Sequence, residues 1–293
     1  MNGILVIDKP ADFTSFDVIA VMRRMLGTRK LGHAGTLDPM ATGVLPVFAG
    51  KAARAIDLLP NHDKIYLAGF ELGVVTDTQD STGKIINKQK ISVPRGNLEN
   101  AVNGFKGEIS QIPPMYSAVK KNGQRLYDLA RQGIEIEREA RSITVYDIAL
   151  TEYNEESGRG VIQIHCSKGT YVRTLCHDIG GVLGCGAIMT SLRRVMAAGF
   201  TEDGTITLGE ARELSEKSCL TERLMPVESV FSIYPEIHVT PAQAVRFKNG
   251  GTLSLDRITV SGTSGFYRVH GDEFLGLGCI SGDELIVKKL FCE

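Results

Sequence analysis

The chain has 293 residues, 43% of them hydrophobic and 23% charged, an ordinary globular composition with room for one sizeable domain and a small one. Its formal net charge of −1 excludes a globally basic nucleic-acid binder, so any such surface has to be local. The start, Met1 to Asp8, lacks the basic opening and long apolar stretch of a signal peptide, and no later apolar run approaches membrane-spanning length, so the expectation is a soluble, cytoplasmic protein.

Residues 3 to 8 read as a short buried strand, followed by Lys9-Pro10, a turn, and a helix from about Ser15 with Phe16, Ile19, Ala20 and Met25 available for its apolar face. From Lys64 the pattern is strand-rich: 64 to 73, 84 to 91, 107 to 112, 142 to 153 and 160 to 166 carry β-branched or alternating apolar residues between turn-like breaks. A helix from about 96 to 105 interrupts them. A second runs from Tyr171 to Leu183, closed by Gly184, and a strand from 187 to 200 follows. The polar segment from Lys120 to Arg141 holds six basic residues against four acids, an Asn122-Gly123 turn signal and a short helical stretch, Leu126 to Ala130. Such a charge cluster permits RNA contact, although on sequence alone it is more often a solvated face. Two short helical segments end near residue 235. Beyond it the chain becomes Gly-rich, with short alternating strands such as Arg257 to Val260 and Glu284 to Val287. This is a mixed α+β pattern with a small β-rich C-terminal domain, 1–234 and 235–293, and not a regular βαβ alternation.

The six cysteines (166, 176, 185, 219, 279 and 292) form no compact disulfide framework and are expected as reduced thiols. His165-Cys166, Cys176-His177 and Cys185 lie close in sequence, yet no Cys-x-x-Cys pair occurs and both dipeptides fall in a strand and a helix, so core packing is expected and no metal.

The most informative stretch is Gly32 to Pro46, which packs three glycines, two prolines and one carboxylate between two apolar regions and reads as a structured loop. Gly35 and Gly43 permit unusual dihedrals or close approach, and Pro39 biases Asp38 away from helix. On chemistry alone an Asp-Pro there is either a turn or a carboxylate held in a fixed direction. A phosphate loop fails on spacing: six residues separate Gly43 from Gly50 where four are needed, and Ala52 stands where Ser or Thr should hold magnesium.

The fourteen residues His33-Ala34-Gly35-Thr36-Leu37-Asp38-Pro39-Met40-Ala41-Thr42-Gly43-Val44-Leu45-Pro46 resemble the signature loop of the TruB family of tRNA pseudouridine synthases. The resemblance continues through Asp8-Lys9-Pro10, Lys64-Ile65-Tyr66, Thr76-Asp77-Thr78, Ile112-Pro113-Pro114-Met115-Tyr116-Ser117-Ala118 and Cys166-Ser167-Lys168-Gly169-Thr170-Tyr171-Val172-Arg173. Asp12 departs from the pattern, standing where the family often has glycine, and Asp tolerates the left-handed region well enough for the turn to survive.

The resemblance implies a pseudouridine synthase fold, a mixed and largely antiparallel sheet flanked by helices, with a PUA-like RNA-binding C-terminal domain. It implies isomerisation of uridine 55 in the T loop of tRNA, without a cofactor, by flipping the nucleotide into a pocket where an aspartate attacks either the uracil ring or the sugar. Asp38 takes the nucleophile's position, Tyr66 that of the residue stacked on the base, and Arg173 that of the arginine that pairs with the nucleophile. His33, Tyr171, Leu192 and Lys9 match substrate-contacting positions, and residues of about 116 to 141 match an insertion that grips RNA. A stand-alone monomer with tRNA as its partner is expected. A guide-RNA-dependent relative and a non-catalytic RNA-folding protein share parts of the pattern.

Overall fold

The computed structural model describes residues 1–117, 119–121, 123–260 and 265–292. Ala118 of the Ile112–Ala118 motif and Asn122 of the expected turn lie outside them. In chain order the first elements are β1 (Gly3–Lys9), α1 (Ser15–Met25), β2 (Leu31–His33), β3 (Thr42–Ala49), β4 (Lys64–Leu72), β5 (Val74–Thr76), β6 (Ile85–Lys88), α2 (Arg95–Asn103) and β7 (Gly107–Gln111). The middle of the chain forms β8 (Lys120–Lys121), β9 (Gln124–Arg125), α3 (Leu126–Arg131), β10 (Arg141–Asn154), β11 (Arg159–Cys166), α4 (Val172–Val182) and β12 (Ala187–Ala197). There follow β13 (Phe200–Thr201), β14 (Thr205–Thr207), α5 (Leu208–Glu216), β15 (Glu236–His238), α6 (Pro241–Lys248), β16 (Leu253–Ser254), β17 (Tyr267–His270), β18 (Phe274–Ser281) and β19 (Glu284–Leu290).

The chain forms two compact units, one of Met1–Asp38, Leu45–Asn61 and Ala198–Glu293, the other of Pro39–Val44 and His62–Ala197. In the first, strands run β14-β1-β3, with β1 parallel to β14 and β2 antiparallel to β3. Helices α1 and α5 cover this face, packing Val18, Ile19, Met22 and Ala211 against Leu5, Ile7, Leu45 and Val47. Both helices start on a capping box, Thr14 with Asp17 and Thr207 with Glu210, in which each threonine hydroxyl accepts the N3 amide and the acid returns to the cap amide. Residues 236–290 of the same unit build a separate five-stranded sheet, ordered β15-β17-β18-β19-β16, on their own core of Ile237, Phe247, Tyr267, Val269 and Leu285.

In the second unit the first residues of β3 run parallel to β12, and from there β12-β4-β11-β10-β7 is antiparallel throughout. The result is a mixed, largely antiparallel sheet, as the resemblance implies. Helix α4 packs on β12, with Leu175, Cys176 and Ile179 buried.

Three expectations are corrected. On α1 the buried face is Ser15, Val18, Ile19 and Met22, at i, i+3, i+4 and i+7, whereas Phe16 is 63% exposed with the Arg23 guanidinium over its ring and Ala20 faces solvent. The stretch Gly32–Pro46 is not loop throughout, because β2 and β3 occupy its ends. Pro46 fits inside β3 since Ala34 N–H donates to its carbonyl at 3.0 Å, which places the missing N–H on the β2 side where no ladder bond to β1 is lost. Finally, Arg257–Val260 is no strand: residues 255–257 form a 3₁₀ turn, and Ile258 and Val260 pack against the C-terminal core from irregular backbone.

Asp12 has φ +62, so the turn after Lys9-Pro10 adopts the left-handed conformation that the family pattern gives to glycine.

Candidate active site

The Asp38 loop leaves β2 at His33, which lies opposite Val47 and is half-buried. Gly35 turns the chain with φ +84. The residue before the carboxylate is then clamped: Leu37 N–H donates to Ser15 Oγ at 2.8 Å, and Ser15 Oγ donates to Leu37 O at 3.3 Å. Ser15 and Leu37 are 1% and 3% exposed, so both backbone groups of Leu37 are satisfied inside the protein by the first residue of α1. Asp38 follows from this fixed point, half-buried, and Pro39 after it is exposed. Lys9 is fully buried, its ammonium donating to the carbonyls of Pro10 at 2.8 Å and Phe13 at 2.5 Å. That charge holds the turn into α1, and thereby Ser15, in place.

In the second unit Tyr66 stands on β4 between Ile164 of β11 and Arg194 of β12, 6% exposed. Its hydroxyl receives a hydrogen bond from the fully buried Arg194 guanidinium, whose Nε donates to Val44 O at 2.8 Å. Burial pushes the Arg194 guanidinium below its ordinary value, and Tyr66 opposes that shift. The Lys64 ammonium is also pushed down, first by burial and next by the Arg194 charge, and donates to His62 O at 2.6 Å. Leu192, 8% exposed, lies opposite Ala68 on the same pair of strands.

Arg173 sits in the first turn of α4 at 7% exposure, its Nη1 3.4 Å from Asp80 Oδ2. Asp80, 4% exposed, is itself saturated: its Oδ1 accepts from Thr78 Oγ1 at 2.7 Å, Thr82 N at 2.9 Å and Thr82 Oγ1 at 2.5 Å. Its loop is pinned to α4 by Thr174 Oγ1 donating to Gln79 Oε1 at 2.7 Å, and to β12 by Ser81 N–H donating to Met189 O at 2.9 Å. A charged pair this deep holds only because its remaining oxygens are hydrogen-bonded. Tyr171, the residue before α4, is fixed at both backbone groups by the buried Gln111 amide, whose Oε1 accepts Tyr171 N–H at 2.8 Å and whose Nε2 donates to Tyr171 O at 3.1 Å.

The sequence reading missed Asp80 and Arg194. Asp80 ends the run begun by Thr76-Asp77-Thr78, and its signal was the Thr-x-Asp-x-Thr spacing of residues 78 to 82, which places two hydroxyls within reach of one carboxylate. Arg194 had no comparable signal, since an arginine in a strand ordinarily faces solvent.

The Lys120–Arg141 insertion presents its charges differently. Met115, Leu126 and Leu129 make a small core beneath it, while Lys120, Lys121, Arg125 and Arg131 are exposed. The guanidinium groups of Arg125 and Arg131 lie 5.7 and 5.5 Å from the Tyr127 ring centre.

Cys166 and Cys176 are buried, and burial pushes their thiols up to about 11 and about 12. Among the described residues the one group with ligand atoms at metal spacing is Glu228, Glu236 and His270, within 4.8 Å of one another. Arg268 lies on both carboxylates, 2.7 Å from Glu228 and 2.9 Å from Glu236, and supplies the positive charge there.

Residues 23–172 match the family described as TruB family pseudouridylate synthase (N terminal domain), and residues 173–232 match the tRNA pseudouridylate synthase B C-terminal domain. A tRNA pseudouridine synthase B of Azoarcus sp. (strain BH72) is 41% identical over 290 residues, covering 99% of this chain and 95% of the relative. One of Clostridium novyi (strain NT) is 40% identical and covers 99% of both. Among solved structures, an H/ACA ribonucleoprotein bound to a substrate RNA containing 2'-deoxyuridine includes a chain with a TM-score of 0.74 at 25% identity, covering 99% of this chain and 85% of that one. A Cbf5-Nop10-Gar1 complex gives 0.74 at 27% identity, with the same coverage. With its signature loop, its sheet and both of its family segments in agreement, the chain belongs to the TruB family of pseudouridylate synthases.

Proposed function

We propose that the protein is a tRNA pseudouridine synthase that isomerises uridine 55 of the T loop, with Asp38 as the nucleophile. The reaction breaks the N-glycosidic bond, turns the uracil and joins its C5 to the sugar, releasing the C5 hydrogen to solvent as a proton while N1 takes one up. No electron leaves the substrate, so the residues' task is to hold the base, attack it or its sugar, and move protons. The observation that carries the reading is the clamp on Leu37: a buried serine fixes both backbone groups of the residue before Asp38, so the carboxylate's origin is rigid while its loop stays open at Pro39. A preorganised charge of this kind is what a covalent catalyst requires.

In this reading Tyr66 stacks on the flipped base, Arg173 pairs with the nucleophile, Tyr171 and Leu192 line the pocket, and His33 fills the space that the flipped nucleotides leave. Lys9 contributes by holding the turn that carries Ser15. The insertion grips the RNA backbone, and residues 235–293 act as a PUA-like RNA-binding domain. The enzyme works in the cytoplasm as a monomer without an obligatory protein partner. Among the described residues no helix is long and apolar enough to cross a membrane.

The test is tritium release from tRNA transcript labelled at uracil C5, with wild type and Asp38→Asn side by side and tRNA binding measured for both. Release by wild type and loss of more than ~10³-fold in a variant that still binds is expected. No release by folded wild type, with release restored by a guide RNA and accessory proteins, would move the protein to the guide-dependent class represented by the H/ACA neighbours.

A further inference from the structure

We propose that Arg194 is a positioning residue for pseudouridylation: its guanidinium sets the direction of the Tyr66 hydroxyl and ties it to the strand that leaves the Asp38 loop. The inference rests on the reading of Tyr66 as a residue that contacts the flipped uracil.

Four observations carry it. Arg194 is 0% exposed, among the largest fully buried side chains of the described residues, in a position where the strand pattern alone would place a small or apolar residue. It is the register partner of Tyr66 on β4 and of Gly43 on β3, so one residue faces the tyrosine on one side and the loop's exit strand on the other. Its guanidinium bonds the Tyr66 hydroxyl while its Nε bonds Val44 O at 2.8 Å. Gly43 has φ +102, and a Cβ there would lie 2.2 Å from Arg194 O, so β3 is shaped to close directly against the Arg194 backbone.

The chemistry of the pair defines the function. Guanidinium has donors and no acceptor, so the phenol oxygen must be the acceptor of this bond, and the phenol's own hydrogen points away from Arg194. Arg194 therefore fixes a rotor that would otherwise take either of two in-plane orientations. Because the same planar group is bonded at Nε to Val44, it cannot follow Tyr66 if the ring moves. A lysine would keep the charge and lose the fork, since one ammonium on a flexible stem does not reproduce two fixed, coplanar donors.

Single-turnover tritium release and tRNA affinity of Arg194→Lys, Tyr66→Phe and the double variant test this. Arg194→Lys should slow release by about 10-fold or more with tRNA affinity within about threefold, and in the Tyr66→Phe background the same change should cost under about threefold. Wild-type release by Arg194→Lys, or equal losses in both backgrounds, would overturn the proposal. Tyr66→Phe at the wild-type rate would overturn it too, because the hydroxyl would then contribute nothing for Arg194 to direct, whereas Tyr66→Ala at the wild-type rate would sink the stacking reading of Tyr66, a separate result. Should Arg194→Lys fail to fold, the NMR signal of the Arg194 Nε–H in arginine-labelled enzyme decides: a shift on Tyr66→Phe supports the coupling, and an unmoved signal refutes it.

Discussion

Arg173 and Arg194 in the second unit, and the basic residues of the Lys120–Arg141 insertion, are the same chemical type put to opposite use. The first two are 7% and 0% exposed, each with fixed oxygen partners, Asp80 for one and Val44 and Tyr66 for the other. Lys120, Lys121, Arg125 and Arg131 stand in solvent over a core of only a few residues. A buried, partnered cation has one geometry and can serve chemistry. An exposed one has many and can only add to the field that draws in a phosphate backbone.

Changes to the two regions should therefore fail in different ways. The largest effect is expected at Asp80→Ala, which removes the carboxylate beside the buried Arg173 guanidinium together with the acceptor of three hydrogen bonds, and should cost about 3–5 kcal/mol in urea unfolding. Loss of under ~1 kcal/mol would show that Arg173 relaxes to another partner, and the comparison would lose its foundation. Arg173→Met should lower turnover by about 100-fold while tRNA affinity changes far less. A pure affinity loss would place Arg173 with the exposed cations instead. Gly43→Ala should destabilise by about 1–3 kcal/mol, since φ +102 is strained for any Cβ and the methyl would strike the Arg194 backbone. An unchanged melting temperature would mean β3 can shift away.

For the insertion, replacing Lys120, Lys121 and Arg125 with alanine should weaken tRNA binding and flatten its salt dependence by about 0.7–0.9 of log–log slope per lost phosphate contact. The rate from bound tRNA should fall by less than the affinity, and the reverse pattern would assign the insertion to chemistry. The smallest effect concerns acid. Arg268, first among its causes, holds the Glu236 carboxyl below its ordinary value. A depressed folded-state value means that this contribution is present above the unfolded glutamate's range and disappears as pH falls through the folded one. Glu236→Gln should therefore flatten the acid limb of stability, read as loosening of β15 on β17, without altering stability at neutral pH by as much as Asp80→Ala does.

Much of this was legible beforehand. The strands β4, β7, β10, β11 and β12 lie within a few residues of where alternation and β-branching put them, and α4 stops at Val182 with Gly184, φ +70, just past its cap residue. The glycines of the signature loop were readable as special backbone positions, and Gly35 and Gly43 have φ +84 and +102. Asp12 was readable as a left-handed residue because only its own backbone energetics were at issue. The misplaced strand at Arg257–Val260 shows the limit: Ile258 and Val260 do pack inward, yet alternation over four residues cannot tell a ladder from a loop that happens to bury two side chains.

The sequence by itself determined the family and the order of elements, because both rest on residues adjacent in the chain, where propensity, capping and turn chemistry act. The tertiary structure alone decided that Asp80 holds Arg173, that Ser15 clamps Leu37 and that Arg194 lies buried against Tyr66, pairs separated by 93, 22 and 128 positions. Such pairs depend on which strands become neighbours and in what register. An arginine is buried or solvated according to the oxygens that the rest of the fold brings to it.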